Sequence, residues 1–190
     1  EAAIRRAQTA EESGCGELRL AYVWGLFHSL VPAWLARFRR DFPETAAYLF
    51  DLTATEQART LEQGSLDAGF IGFAHEADAT GLAKQKVGAC EFMAAIPRSH
   101  PMARQSKLPL EKLSRELFIG ISEKSYPGAW HIVADACERA GFRPRVLEAA
   151  ERGFTILGLV AGNCGIALLP ESLKSLPHPG VAFRPLVNPP

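Results

Sequence analysis

Along this chain the hydrophobic period changes repeatedly between that of a strand and that of a helix. "ELRLAYV" (17–23) and "TAAYLFDL" (45–52) are β-rich, and "LDAGFIGF" (66–73) is mostly apolar. Between them lie "HSLVPAWLARFRRDFP" and "TATEQARTLEQG", which read as helices. The order β-α-β-α-β predicts a parallel sheet, because a helical crossover returns each strand beside the last. The lack of alternation in 66–73 predicts burial on both faces. Local signals agree. Pro32 is tolerable only in the first turn of its helix, and Pro43 closes it. Thr53 and Glu56 are placed as a capping box, and Gly64 as the C-terminal stop.

The second half repeats the plan. "GLAKQKVG" (81–88) and "CEFMAAIP" (90–97) read as strands. "RSHPMARQSKLPLEKLSRE" is a polar connection with a short helical turn around 110–113. From residue 117 the order is strand (117–122), helix ("GAWHIVADACERAGF"), strand ("RPRVLEAA"), helix ("RGFTILGLVAGN"), strand (165–170), and "VAFRPL" ends the series. Two α/β lobes with a cleft are expected. The opening "EAAIRRAQTAEE" is polar, starts without a cap and stops at "SGCG", so it reads as the tail of a longer helix.

Composition narrows the function classes. The chain has 190 residues, with 21 Lys plus Arg against 21 Asp plus Glu. That balance gives no whole-chain reason to expect nucleic acid or an anionic membrane as partner. No apolar run approaches the roughly 18 residues of a membrane span. The start does not follow the plan of a signal peptide. Cysteines 15, 90, 137 and 164 are scattered without a C-x-x-C, so zinc and thioredoxin-like readings fail on spacing, and a reducing cytoplasm is expected.

Several residues invite a catalytic reading. Cys164, in "LVAGNCGIALLP", sits where a nucleophile elbow would be sought. The order here is helix, turn, strand, the reverse of an elbow. Asn163 suits the left-handed residue after a helix. Cys164 is then expected to be an inert, buried apolar residue. Ser99 beside His100 in "RSHP" reads as turn chemistry, since adjacent residues in an extended segment point apart. Arg37, Arg39 and Arg40 read as a solvated helix face, and Trp34 with Leu30, Ala33 and Phe38 as the apolar one. No G-x-G-x-x-G, P-loop, acid–base pair or metal cluster is present in the sequence, and neither cofactor nor metal is expected.

The positive signal lies where strands feed helices through short loops: Val23 into 25–29, Leu52 into 53–55, Ile121 into 122–129. In open α/β sheets ligands bind beyond the carboxyl ends of strands. Helix N-termini there offer free N–H groups to an anion. Thr53, Thr55, Ser122 and Ser125 add hydroxyls that serve a ligand, their own helix, or both. Trp24, Phe27 and Tyr126 supply apolar walls.

"GELRLAYV", "LVPAWLARFRRDFPETAAYLFDL", "LEQGSLDAGFIG", "FMAAIPRSHPMA", "LPLEKLSRELFI" and "GLVAGNCGIALLP" occur in one order across residues 16–188. In that combination the chain resembles the effector-binding domain of LysR-type transcriptional regulators, nearest the branch that senses muconate-like acids in aromatic-compound degradation. The resemblance implies a type II periplasmic-binding-protein-like α/β fold. Its two subdomains would be joined by crossing strands at about 90–97 and 165–170, with a ligand cleft between them. Subdomain I would comprise 15–92 and 171–190, and subdomain II 93–170. Residues 1–14 would be the remnant of a linker helix that follows an N-terminal winged helix-turn-helix absent from this chain.

The resemblance also implies a small-carboxylate effector, a homodimer or tetramer, promoter DNA bound through the N-terminal domain only, and RNA polymerase as a further partner. Its ligand residues map to Trp24, Gly25, Leu26, Phe27, Thr53, Ala54, Thr55, Gly72, Ser122, Ser125, Tyr126, Pro127, Gly128 and Ala129. The chain departs from the muconate sensors in three places. Gly25 stands for a serine, Ala54 for a threonine, and Gly128–Ala129 for an Asn-Phe pair. These changes bear on which ligand fits; Gly25 leaves room for a bulkier one. The implied dimer pairs the helix Leu30 to Phe42 with the helix Ala129 to Ala140 of a neighbour, with Trp34, Trp130 and Val133 as anchors. A free-standing solute-binding protein is the alternative with the same fold. An enzyme would rest on Cys164 or on a folded-together His and Ser.

Overall fold

The β-rich run after Gly16 forms β1 (Glu17–Tyr22), and Leu20 and Ala21 on it are fully buried. The computed structural model describes residues 16–27, 29–72, 81–176 and 178–189. The proposed linker-helix remnant, residues 1–14, lies outside them. The chain divides between Gln85 and Lys86 into two units.

In the first unit β1, β2 (Ala46–Asp51) and β3 (Ala68–Phe70) form a parallel sheet in the order β2-β1-β3. The expected crossovers are present. A single turn, α1 (Trp24–Phe27), precedes the segment read as a helix from residue 28, which forms α2 (Val31–Asp41) with its proline in the first turn. Trp34 of α2 meets Phe70 of β3 edge-on, with ring centroids 5.6 Å apart, and stacks on Phe38 at 5.1 Å. α3 (Ala54–Glu62) begins at Thr53 with the expected capping box and ends before Gly64, whose φ is 65°. β3 is shorter than its apolar run predicts and carries no fully buried residue. Among the described residues it pairs with β1 alone, so only one side of the strand has a backbone partner there.

In the second unit β4 (Phe92–Pro97) is buried at every residue. It lies between β8 (Ala167–Pro170) and β9 (Val181–Val187), antiparallel to both. The short β5 (Leu108–Pro109) extends this sheet beside β9. β6 (Leu117–Ile121) and β7 (Arg145–Ala150) pair in parallel through α4 (Ala129–Arg139). α5 (Gly153–Ala161) then leads to β8. Ile166 bridges Phe118 in parallel, through Ile119 N–H to Ile166 O and Ile166 N–H to Leu117 O at 2.8 Å each. Gly165 permits this approach: a Cβ there would sit 2.6 Å from the Leu117 carbonyl oxygen.

Other expectations change. Residues 81–88 form no strand; they are mostly exposed, with Lys84 and Lys86 among them. The connection after β4 holds two 3-10 turns, Pro101–Arg104 and Leu110–Leu113, where one was foreseen. His100 caps the first by accepting the Met102 N–H at Nδ1, 3.2 Å, which gives "RSHP" its turn role. Residues 171–190, assigned from sequence to the first lobe, join the second unit instead. β9 bonds to both β4 and β5, and Val181, Ala182 and Leu186 are buried there. β4 and β8, expected to carry the chain across, pair with each other.

Candidate functional site

Parallel pairing brings three strand ends to one edge of the first unit. Leu52 N–H donates to Tyr22 O at 3.1 Å and Val23 N–H to Phe70 O at 3.0 Å, so the chain leaves β1, β2 and β3 side by side. Trp24, Gly25, Leu26 and Phe27 turn at once into α1, held by Leu26 N–H on Val23 O at 2.9 Å. Phe27 lies against Tyr22, ring centroids 4.9 Å apart. Thr53, Ala54 and Thr55 open α3. Gly72 follows β3, and a Cβ there would stand 3.9 Å from a Val23 methyl. All the first-unit candidates therefore gather at this edge.

Thr53 is buried, and its hydrogen bonds are internal. Its N–H donates to Glu56 Oε2 at 2.7 Å, its hydroxyl donates to the same oxygen at 2.8 Å, and it accepts the Glu56 N–H at 3.3 Å. The helix N-terminus foreseen as an anion site thus already holds a carboxylate. Beneath it, fully buried Gln57 donates from Nε2 to Leu52 O at 3.0 Å and Phe70 O at 3.2 Å, tying the ends of β2 and β3 together. Its Oε1 is buried without a hydrogen-bond partner. Burial, with the neighbouring Asp51 charge, pushes the Tyr22 phenol above its ordinary pKa.

The second-unit candidates lie on one loop between β6 and α4. Ser122 N–H donates to Ala150 O at 3.1 Å, joining the loop to the end of β7. Ser122 O accepts the N–H groups of Ser125 at 3.2 Å and Tyr126 at 2.9 Å, and Tyr126 O accepts that of Ala129 at 3.1 Å. Gly128 takes φ 78°, a left-handed conformation that glycine adopts freely and asparagine more readily than other side chains. Ser125, Tyr126 and Ala129 are buried, while Ser122, Pro127 and Gly128 are partly open.

Here too a carboxylate of the chain occupies the helix N-terminus. Glu123 Oε2 accepts the Gly128 N–H at 2.8 Å, Oε1 accepts the Trp130 N–H at 2.7 Å, and His131 Nδ1 is 3.5 Å from Oε1. Burial raises the pKa of this acid, but the two amides and His131 outweigh it and hold the carboxyl below its usual range. Sequence reasoning passed over Glu123 and Gln57. An acid shortly before a helix start is a recognisable signal for the first; nothing local marks the second.

Two further expectations are corrected. Cys164 lies at the helix-to-strand turn, after left-handed Asn163 at φ 60°, but it is exposed rather than buried. The turn precedes the first paired residue, Ile166, which bridges Phe118, so Cys164 itself is outside the sheet. Val133, offered as an interface anchor, is 1% exposed and belongs to its own unit's core.

The LysR substrate binding domain family model matches residues 11–190. The transcriptional regulator AlsR of Bacillus subtilis (strain 168) is 25% identical over 181 residues, covering 95% of this chain and 59% of AlsR. The chain therefore spans about three fifths of that relative's length. The effector-binding domain of BenM, solved with its effector benzoate, superposes with a TM-score of 0.74 at 24% identity, covering 90% of this chain and 78% of that one. The LysR-family regulator CbnR gives a TM-score of 0.82 at 22% identity, covering 98% of this chain and 65% of that one. These likenesses establish the type II periplasmic-binding-protein-like α/β fold, and with the match over residues 11–190 this chain belongs to the LysR substrate-binding domain family.

Proposed function

We propose that this domain senses a small carboxylate for a LysR-type transcriptional regulator, which binds promoter DNA through a separate N-terminal winged helix-turn-helix. One observation carries the reading. In a family member whose structural relative is solved with benzoate, the loops 24–27, 53–55 and 71–72 leave adjacent parallel strands at one edge. In the second unit, the loop 122–129 carries its own candidates, Ser122 and Ser125, at the N-terminus of α4. The activity is binding rather than catalysis, and the working compartment is the cytoplasm. Transport is disfavoured because the relatives are regulators.

In the first unit Thr55 offers a hydroxyl next to the resident carboxylate Glu56, and in the second unit Ser122 and Ser125 flank the resident carboxylate Glu123, which an effector carboxylate replaces on the amides of Gly128 and Trp130. Trp24 and Phe27 contribute apolar surface to the ligand body, and Gly25 leaves space for it. Self-association rests on two sheet edges. β2 exposes Tyr48 and Phe50, and β7 exposes Val146 and Leu147.

The test is calorimetry of this chain with benzoate and a panel of aromatic and dicarboxylic acids, repeated on Thr55→Val and Ser122→Ala. Binding of at least one acid, weakened in either variant, supports the reading. Silence across the panel, or tight binding of a cation instead, refutes it.

A further inference from the structure

A cavity of about 430 Å³ opens in the second unit, away from the loop 122–129. It lies at the Pro97 end of β4. β4 runs antiparallel to β8, and Ile166, just before β8, pairs in parallel with Phe118 of β6. The Pro97 end of β4 therefore shares an edge with the start of β6, whereas 122–129 follows the end of β6. The cavity is within the usual size range of small-ligand sites, roughly 300–1,000 Å³.

Its lining is one-signed. Arg98, Arg104, Lys174 and Arg184 border it, and no acidic residue does. The chain as a whole is balanced, 21 bases to 21 acids, so this concentration is local. Among the described residues none of the four forms an ion pair with a carboxylate, while Arg37, Arg40 and Arg143 each do. Arg184 is also held in place. Its Nε donates to Ala103 O at 2.8 Å, Nη2 donates to the same oxygen, and Nη1 donates to Phe183 O at 2.7 Å. Neutral carbonyls fix the guanidinium without cancelling its charge. A guanidinium carries five N–H donors, so two remain for a ligand.

We propose that this cavity is an anion site for a phosphorylated small molecule, separate from the effector loops. Three guanidinium groups and an ammonium around one concavity suit a multiply charged, tetrahedral oxyanion better than a single carboxylate. The prior fixing of Arg184 lowers the cost of ordering on binding. Ala103, Val181, Ala182 and Phe183 provide apolar wall for the body of the molecule. The regulator then reads a second, chemically distinct signal.

Inorganic pyrophosphate is the probe, titrated calorimetrically into this chain at low and physiological salt. The expected result is saturable one-to-one binding that weakens with salt and falls by about tenfold or more in Arg98→Gln/Arg104→Gln. Both residues are exposed, and circular dichroism checks that the variant is folded. Arg139→Gln/Arg145→Gln removes the same charge elsewhere and should leave binding within about twofold. Absence of saturable binding overturns the proposal. So does an equal loss in the two double variants, which would mark a diffuse charge effect. Benzoate titrated in the presence of pyrophosphate separates this site from the effector site: unchanged benzoate affinity supports independence, and direct competition overturns it.

Discussion

Glu123 reaches past four residues to accept the Gly128 N–H at Oε2, 2.8 Å, and its other oxygen takes the Trp130 N–H at 2.7 Å. A carboxylate on the first amides of an 11-residue helix interacts favourably with the helix dipole and satisfies orphan donors. Glu123→Gln is expected to lower stability by about 1 kcal/mol at neutral pH, the range of a lost helix cap. The folded pKa is depressed, so the carboxylate's contribution is fully present above the unfolded value of about 4.3 and is lost as pH falls through the folded pKa. Urea melts of both proteins should converge on the acid side. A gap that stays constant down to pH 3 would contradict this.

The same carboxylate repels an incoming acid. Two unit charges about 4 Å apart in water interact by about 1 kcal/mol, roughly fivefold in affinity. Glu123→Gln should therefore tighten benzoate binding by that factor. Unaltered or weakened affinity would place the effector's carboxylate away from the α4 N-terminus.

Gln57 and Gly69 should behave as a coupled pair. A Cβ on Gly69 would stand 2.2 Å from Gln57 Oε1. Gly69→Ala is expected to cost about 1–3 kcal/mol from overpacking. Gln57→Ala removes one donor each from Leu52 O and Phe70 O, the latter keeping the Val23 N–H, and opens a cavity, at a comparable cost. The double variant should be more stable than the sum predicts by about 0.5 kcal/mol or more, because the clash disappears with the side chain. Additive losses in denaturant melts would rule out the coupling.

Cysteine labelling has an expected order. Cys90 and Cys164 are exposed, while Cys137 is fully buried and desolvation pushes its thiol pKa up to about 11. Peptide mapping after brief alkylation should find Cys90 and Cys164 modified in the native protein and Cys137 only after denaturation. Cys164→Ser should bind benzoate within about threefold of the parent, since it is exposed and its Sγ donates to the Gly162 carbonyl at 3.9 Å within its own turn. Loss of binding on alkylating Cys164 would reinstate a functional thiol.

Leu147 is 64% exposed on the outer edge of β7. If that edge mediates self-association, Leu147→Lys should shift sedimentation toward monomer without changing the melting midpoint of the isolated chain by more than a few degrees. An unchanged oligomer distribution would assign the contact to another face.

Much of the architecture was legible because its causes are local. The period changes from 17 to 64, the Thr53–Glu56 capping box, the first-turn Pro32 and the left-handed Asn163 each follow from a few neighbouring residues. The first-unit candidates were found the same way, since adjacent parallel strands necessarily end at one edge. What local pattern does not encode is partnership. β9 reads as a strand from its sequence, but only tertiary pairing with β4 and β5 assigns residues 171–190 to the second unit. "GLAKQKVG" reads as a strand in isolation, but residues 81–88 form none. Helix N-termini were visible as anion sites, whereas their occupation by Glu56 and Glu123 required the side chains in three dimensions. Arg98, Arg104, Lys174 and Arg184 are scattered over 87 positions, and only the antiparallel return of β9 along β4 brings them to one cavity. Sequence determines what each segment can form by itself; tertiary structure decides which distant groups meet, because that choice depends on burial and hydrogen bonding between segments far apart in the chain.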